Sequence, residues 1–251
     1  MILYPDEFGY ALSACPDSVT FTRHTSVNLY ENDNAYFYNS NFKRTPTPGY
    51  RDGYSGVTYP GYKTAYGDII TTFQEMNLRE LALGDNSLSC GQCDAWEATW
   101  SPLDKETGYP KRIYDKATGV IDKDVANYWK ENYDLANILV RDWETLGPKV
   151  SGRLHFAVGG SDSFYLDNAV YDFEQLLLSE IGEDHGVTFE FGAHQGLGFQ
   201  HCFRGYEYDE NGEPLPNSIT RLTYPQDVIP RMTETFLKNA PEGADTESWR
   251  Y

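Results

Sequence analysis

The chain has 251 residues, 40% of them hydrophobic, and a formal net charge of −18 with a pI near 4.5. That length permits one large domain or two small ones, and either can bury a substantial core. The acidic balance excludes nucleic acid and anionic membranes as partners, and no stretch approaches the ~20 continuous apolar residues of a membrane span.

The opening "MILYPDEFGY" shows neither a basic segment nor a long apolar run, so it does not read as a signal peptide. "EFGYALSACPDS" predicts a short strand over about residues 9 to 14, stopped by Pro16 and Asp17. From about residue 40 to 66 the chain is rich in Pro and Gly and reads as a long loop. "GDIITTFQEMNLREL" places Ile69, Ile70, Phe73 and Met76 at helical spacing, with Asp68 as the N-cap. "CGQC" brings Cys90 and Cys93 into CxxC spacing. No second CxxC or HxxxH accompanies it, so it predicts a disulfide or two free thiols rather than a metal or redox centre.

Further along, Val125 and Trp129, then Leu135, Ile138, Leu139, Trp143 and Leu146, predict one or two helices that end at Gly147 and Pro148. Then the pattern changes. "RLHFAV" predicts a strand, and "FYLDNAVYDFEQLLLSEIG" an amphipathic helix through Leu166, Ala169, Val170, Phe173, Leu176 and Leu177. "VTFEFG" predicts a second strand. A last helix spans about 226 to 239, with Ile229, Met232, Phe236 and Leu237 on its apolar face and Pro230 in its first turn. This order predicts an α/β fold with a parallel sheet and flanking helices, in which functional groups gather at the carboxyl ends of strands. No internal repeat stands out.

Asp162 follows the first of these late strands immediately after Gly159 and Gly160. His194 and His201 follow "VTFEFG". A Ser-His-acid hydrolase needs a nucleophile, an imidazole that carries its proton, and a carboxylate that orients the imidazole. In the α/β-hydrolase fold they occur in the order serine, acid, histidine. Asp162 and a late histidine supply the last two in that order. Asp162 or Ser163 could equally cap the helix near Phe164. His155 lies in mid-strand and is predicted to pack there, while His24 and His185 read as loop residues. No G-x-S-x-G occurs. Ser55 sits in the wrong glycine pattern, Ser13 within a strand.

Several stretches together resemble an esterase family with the α/β-hydrolase fold: "YPDEFGYALSACPDSVTF", "NLYENDNAYFY", "GQCDAWEATWSPLD", "GYPKRIYDKATGVID", "APEGADTESWRY" and the long run ending at Val170. The resemblance implies a partial α/β-hydrolase fold, the C-terminal half, with the nucleophile-bearing half outside this sequence. Residues 1–17 would hold the strand after the nucleophile helix, 18–148 an insertion over the site, and 149–251 the α/β unit carrying acid and base. Asp162 matches the family's acid and His201, in "HCF", its histidine, with His194 as the fallback. Cys93 stands where an aromatic residue is expected. The implied activity is carboxylic ester hydrolysis without cofactor or metal. The substrate would be a small-molecule ester or an acylated sugar, and the missing segment or a second chain would be the partner. Alone, the chain is expected to be inactive and to aggregate or pair. Two other readings compete. One is a carbohydrate-binding protein that stacks sugars on the Tyr/Trp-rich region from Tyr30 to Trp100. The other is a glycosidase using Glu97 and Asp162.

Overall fold

Six consecutive residues of one strand, Leu154–Gly159, are all buried, and their sequence LHFAVG is an almost unbroken apolar run. That is the signature of a strand covered on both faces in a parallel sheet. The computed structural model describes residues 1–37, 58–64, 67–160, 162–192, 210–211 and 224–247. Within it this strand (β4) is central. β1 (Ala11–Ala14) flanks it on one side and β5 (Thr188–Gly192) on the other, both parallel to it. The register sets Ala11 beside Leu154, and Phe156 beside Phe189. The fold is therefore mixed α/β, with a three-stranded parallel sheet flanked by helices.

Alternation along β4 sends Leu154, Phe156 and Val158 to one face. There they join Ala169, Val170, Phe173 and Leu177 of the helix α6 (Asp167–Glu180) in one apolar cluster. These are residues that the helical spacing predicts. The opposite face carries Ala157 against Val228 of α7 (Tyr224–Asn239). Arg231 of α7 also pairs with Glu190 at 2.5 Å, and Glu190 lies 3.7 Å from His155 Nε2. His155 is buried in the sheet, as its mid-strand position predicts.

The chain between β1 and β4 forms the hairpin β2 (Pro60–Lys63) and β3 (Ile69–Thr72), then α1 (Phe73–Leu83), α2 (Gln92–Trp100), α3 (Lys123–Asn132), α4 (Leu135–Arg141) and α5 (Trp143–Val150). It builds a second apolar cluster around Phe21, Tyr36, Phe73, Trp96, Tyr114 and Trp129. Asp134 sits where the clusters meet. Its carboxylate accepts hydrogen bonds from Thr20 Oγ1 and Phe21 N at 3.0 Å, from Tyr30 Oη at 2.5 Å and from Asn137 N at 2.8 Å, the last capping α4.

Several local expectations are corrected. The predicted loop contains β2, which tolerates Pro60 because it is the strand's first residue. Ile69 and Ile70 belong to β3, not to a helix, as suits a β-branched Ile-Ile-Thr-Thr run. The helix begins at Phe73, capped by Thr72 rather than Asp68. Thr72 Oγ1 accepts from Glu75 N, and Glu75 returns a bond to Thr72 N, closing a capping box. α5 runs through Gly147 and Pro148 to Val150, since proline removes only one amide so near the helix end. Pro230 lies inside α7, beyond its first turn. Ile229, Phe236 and Leu237, the expected core face of α7, are exposed, and Val228 is the residue that turns inward. His24 and His185 are buried rather than in open loops.

Candidate functional site

β4 stops at Gly159, and the chain turns at once. Asp162 N donates to Gly159 O at 3.1 Å, and the Asp162 side chain is fully buried. Its Oδ1 accepts from Phe164 N at 2.8 Å and Leu166 N at 3.1 Å. The carboxylate thus organises a turn in its own backbone, the short-range hydrogen bonding to which aspartate is suited. Neither Asp162 nor Ser163 caps α6, whose N-cap is Leu166 and carries no side-chain cap bond. Within the turn Tyr165 is held at φ 64°, a conformation unfavourable for a side chain of its size.

The hairpin presses directly on this turn. Lys63 N donates to Ser163 O at 2.9 Å, and the Tyr62 ring meets Phe164 edge-on with centroids 5.0 Å apart. The Lys63 ammonium lies 4.4 Å from the centre of the Tyr165 ring. Asp167 opens α6 and is 4% exposed, and its Oδ1 is buried with no hydrogen-bond partner among the described residues. Burial pushes the Asp167 carboxyl up to about 6, with the Lys63 ammonium opposing the rise and Asp162 adding to it.

At the carboxyl end of β1, Cys15 is disulfide-bonded and adopts φ 53°. Cys90 and Cys93 are free thiols, one exposed and one buried, so the CxxC spacing forms no disulfide. Cys93 lies in the first turn of α2, where burial, reinforced by Glu80, pushes its thiol far up. Among the described residues no cluster of three or more His, Cys, Asp or Glu side chains could hold a metal ion. No described helix is long and apolar enough to cross a membrane.

His194 and His201 lie outside the described residues. Glu97 is buried in an ion network. It accepts from Arg112 at 2.8 Å and from Ile113 N at 3.0 Å, while Lys116 joins Glu80 at 3.0 Å and Asp94 at 2.9 Å. Most of the described aromatic residues behind the carbohydrate reading are core. Tyr36, Tyr59 and Trp96 are buried, and His24 sits among Phe21, Phe73, Trp96 and Trp129. Sequence reasoning missed Lys63 and Asp167. An aspartate opening a helix looks commonplace, and nothing in the local sequence brings residue 63 to residue 163.

No family model, curated protein or solved structure matches the chain.

Proposed function

We propose that the chain is the acid- and base-bearing part of an esterase-type serine hydrolase with the α/β-hydrolase fold, its nucleophile supplied from outside these 251 residues. The observation that carries the reading is a fully buried carboxylate, Asp162, just past the carboxyl end of the central strand of a parallel sheet. Two backbone amides hold its Oδ1 and fix the side chain's orientation. The three strands that the resemblance assigns to the region after the nucleophile helix, to the acid and to the final position are adjacent and parallel.

In the proposed reaction the serine oxygen attacks the ester carbonyl carbon and its proton passes to the imidazole of His201. The Asp162 carboxylate orients that imidazole and stabilises its cationic form. Collapse of the tetrahedral intermediate breaks the ester C–O bond, and the proton leaves with the alcohol. Water then repeats the sequence on the acyl-enzyme, releasing the acid and the free serine.

The test is hydrolysis of a nitrophenyl ester by this chain joined to its upstream coding sequence. Asp162→Asn and His201→Ala should each lower kcat by a factor on the order of 10³ to 10⁴. A full-length protein that is inert, or that keeps its rate in both variants, overturns the proposal.

A further inference from the structure

We propose that Asp167 is a positioning residue for Asp162: a second buried carboxylate at the end of the same turn, opposed by the Lys63 ammonium, that sets how much negative charge the acid turn presents. Its catalytic consequence rests on the hydrolase reading, and its physical basis rests on the turn alone.

Asp167 is almost fully buried, and its Oδ1 finds no donor among the described residues. Such an oxygen is unfavourable to leave charged and unpaired, so its environment decides its protonation. Three ionisable groups interact with it, each from a different place. Lys63 approaches from β2 and favours the ionised form. Asp162, five residues earlier, disfavours it. Tyr171 stands one turn along α6 and is itself pushed up by burial and by Asp167. The Lys63 ammonium makes no ion pair among the described residues. It rests on the Tyr165 ring, which leaves its charge to act on this turn.

The carboxyl of Asp167 therefore changes charge near pH 6, within the range where an imidazole also titrates. Above that pH the turn carries a second negative charge, which strengthens the field that holds an imidazolium beside Asp162. Below it that charge is gone. Asp167 contacts neither nucleophile nor substrate in this scheme and acts only through Asp162.

Carboxyl carbon shifts of the isotopically labelled full-length protein, followed by NMR from about pH 3 to about pH 9, test the pair directly. Asp167 should titrate near 6. Its midpoint should fall in Asp162→Asn, which keeps Oδ1 as the acceptor for the turn, and rise in Lys63→Met. A midpoint in the ordinary carboxylate range near ~4, or one that moves in neither variant, overturns the proposal. In the full-length protein, Asp167→Asn should move the acid limb of kcat/KM to lower pH by about half a unit or more. An active enzyme whose limb stays put overturns the positioning role and leaves the hydrolase reading intact. An inert full-length protein overturns the hydrolase reading and the catalytic consequence with it, while the NMR midpoints still decide the coupling.

Discussion

Asp167 should leave a signature in stability. Its folded carboxyl titrates near 6 against an ordinary 3.8. A carboxyl raised on folding favours the native state while it is protonated in both states, and that advantage is lost as pH climbs through the folded value. The stability of the native protein relative to Asp167→Asn should therefore fall by ~2 kcal/mol between pH 4 and pH 8. Urea melts at the two pH values check this, and a difference that does not change with pH removes Asp167 from the buried titrating set. Asp162 was legible in the sequence because an apolar run, two glycines and an acid announce a turn at a strand end. Asp167 was not, since an acid in the first turn of a helix is ordinary. Its carboxyl is acted on by Lys63, far away in sequence, and local pattern carries no information about that approach.

Local pattern also leaves out how one short motif can serve two purposes. Asp-Lys-Glu-Thr-Gly at 104–108 and Asp-Lys-Ala-Thr-Gly at 115–119 form the same turn. In each, the glycine amide donates to the aspartate carbonyl, the aspartate amide donates to the carbonyl of the residue after the glycine, and the glycine has positive φ, at 75° and 78°. A five-residue repeat with one glycine is too short to stand out by inspection. Yet Lys105 is exposed and Lys116 is buried, where it neutralises Glu80 and Asp94. Glu80 in turn accepts the amides of Cys93 and Asp94, and so ties the start of α2 to α1. Lys116→Met leaves Glu80 buried without its cation, while Asp94 keeps Arg112 at 2.8 Å, and should cost about 3–5 kcal/mol, whereas Lys105→Met should stay within about 0.5 kcal/mol. Denaturant midpoints of the two variants decide between a shared turn with one buried role and two equivalent surface lysines. Among the longer elements, β4 and α6 were legible because burial is written in their periodicity. The boundary between β3 and α1 was misplaced because Ile69 and Ile70 satisfy helical spacing by chance, while the capping signal at Thr72 and Glu75 lay a few residues on.

The described residues form two large apolar cores joined at Asp134, a small third cluster at Ala157 and Val228, and a sheet with β1 at one edge. Leu3, Tyr4 and Phe8 are exposed just before that strand, and the half-exposed Phe236 ring lies over Gly9 and Tyr10. A parallel edge with no further strand on it among the described residues, flanked by apolar side chains, invites further pairing. The chain expressed alone should self-associate, with light scattering showing a mass that rises with concentration. A monomer at all concentrations with one cooperative melt argues against the need for additional strands. The stitch from Lys63 to Ser163 has a mechanical consequence of its own. Because one peptide group of the covering hairpin is bonded to the loop that carries the acid, that part of the cover cannot swing aside without tugging on the loop. Under the proposed hydrolase reading, a doorway for substrate would then have to open elsewhere along the rim.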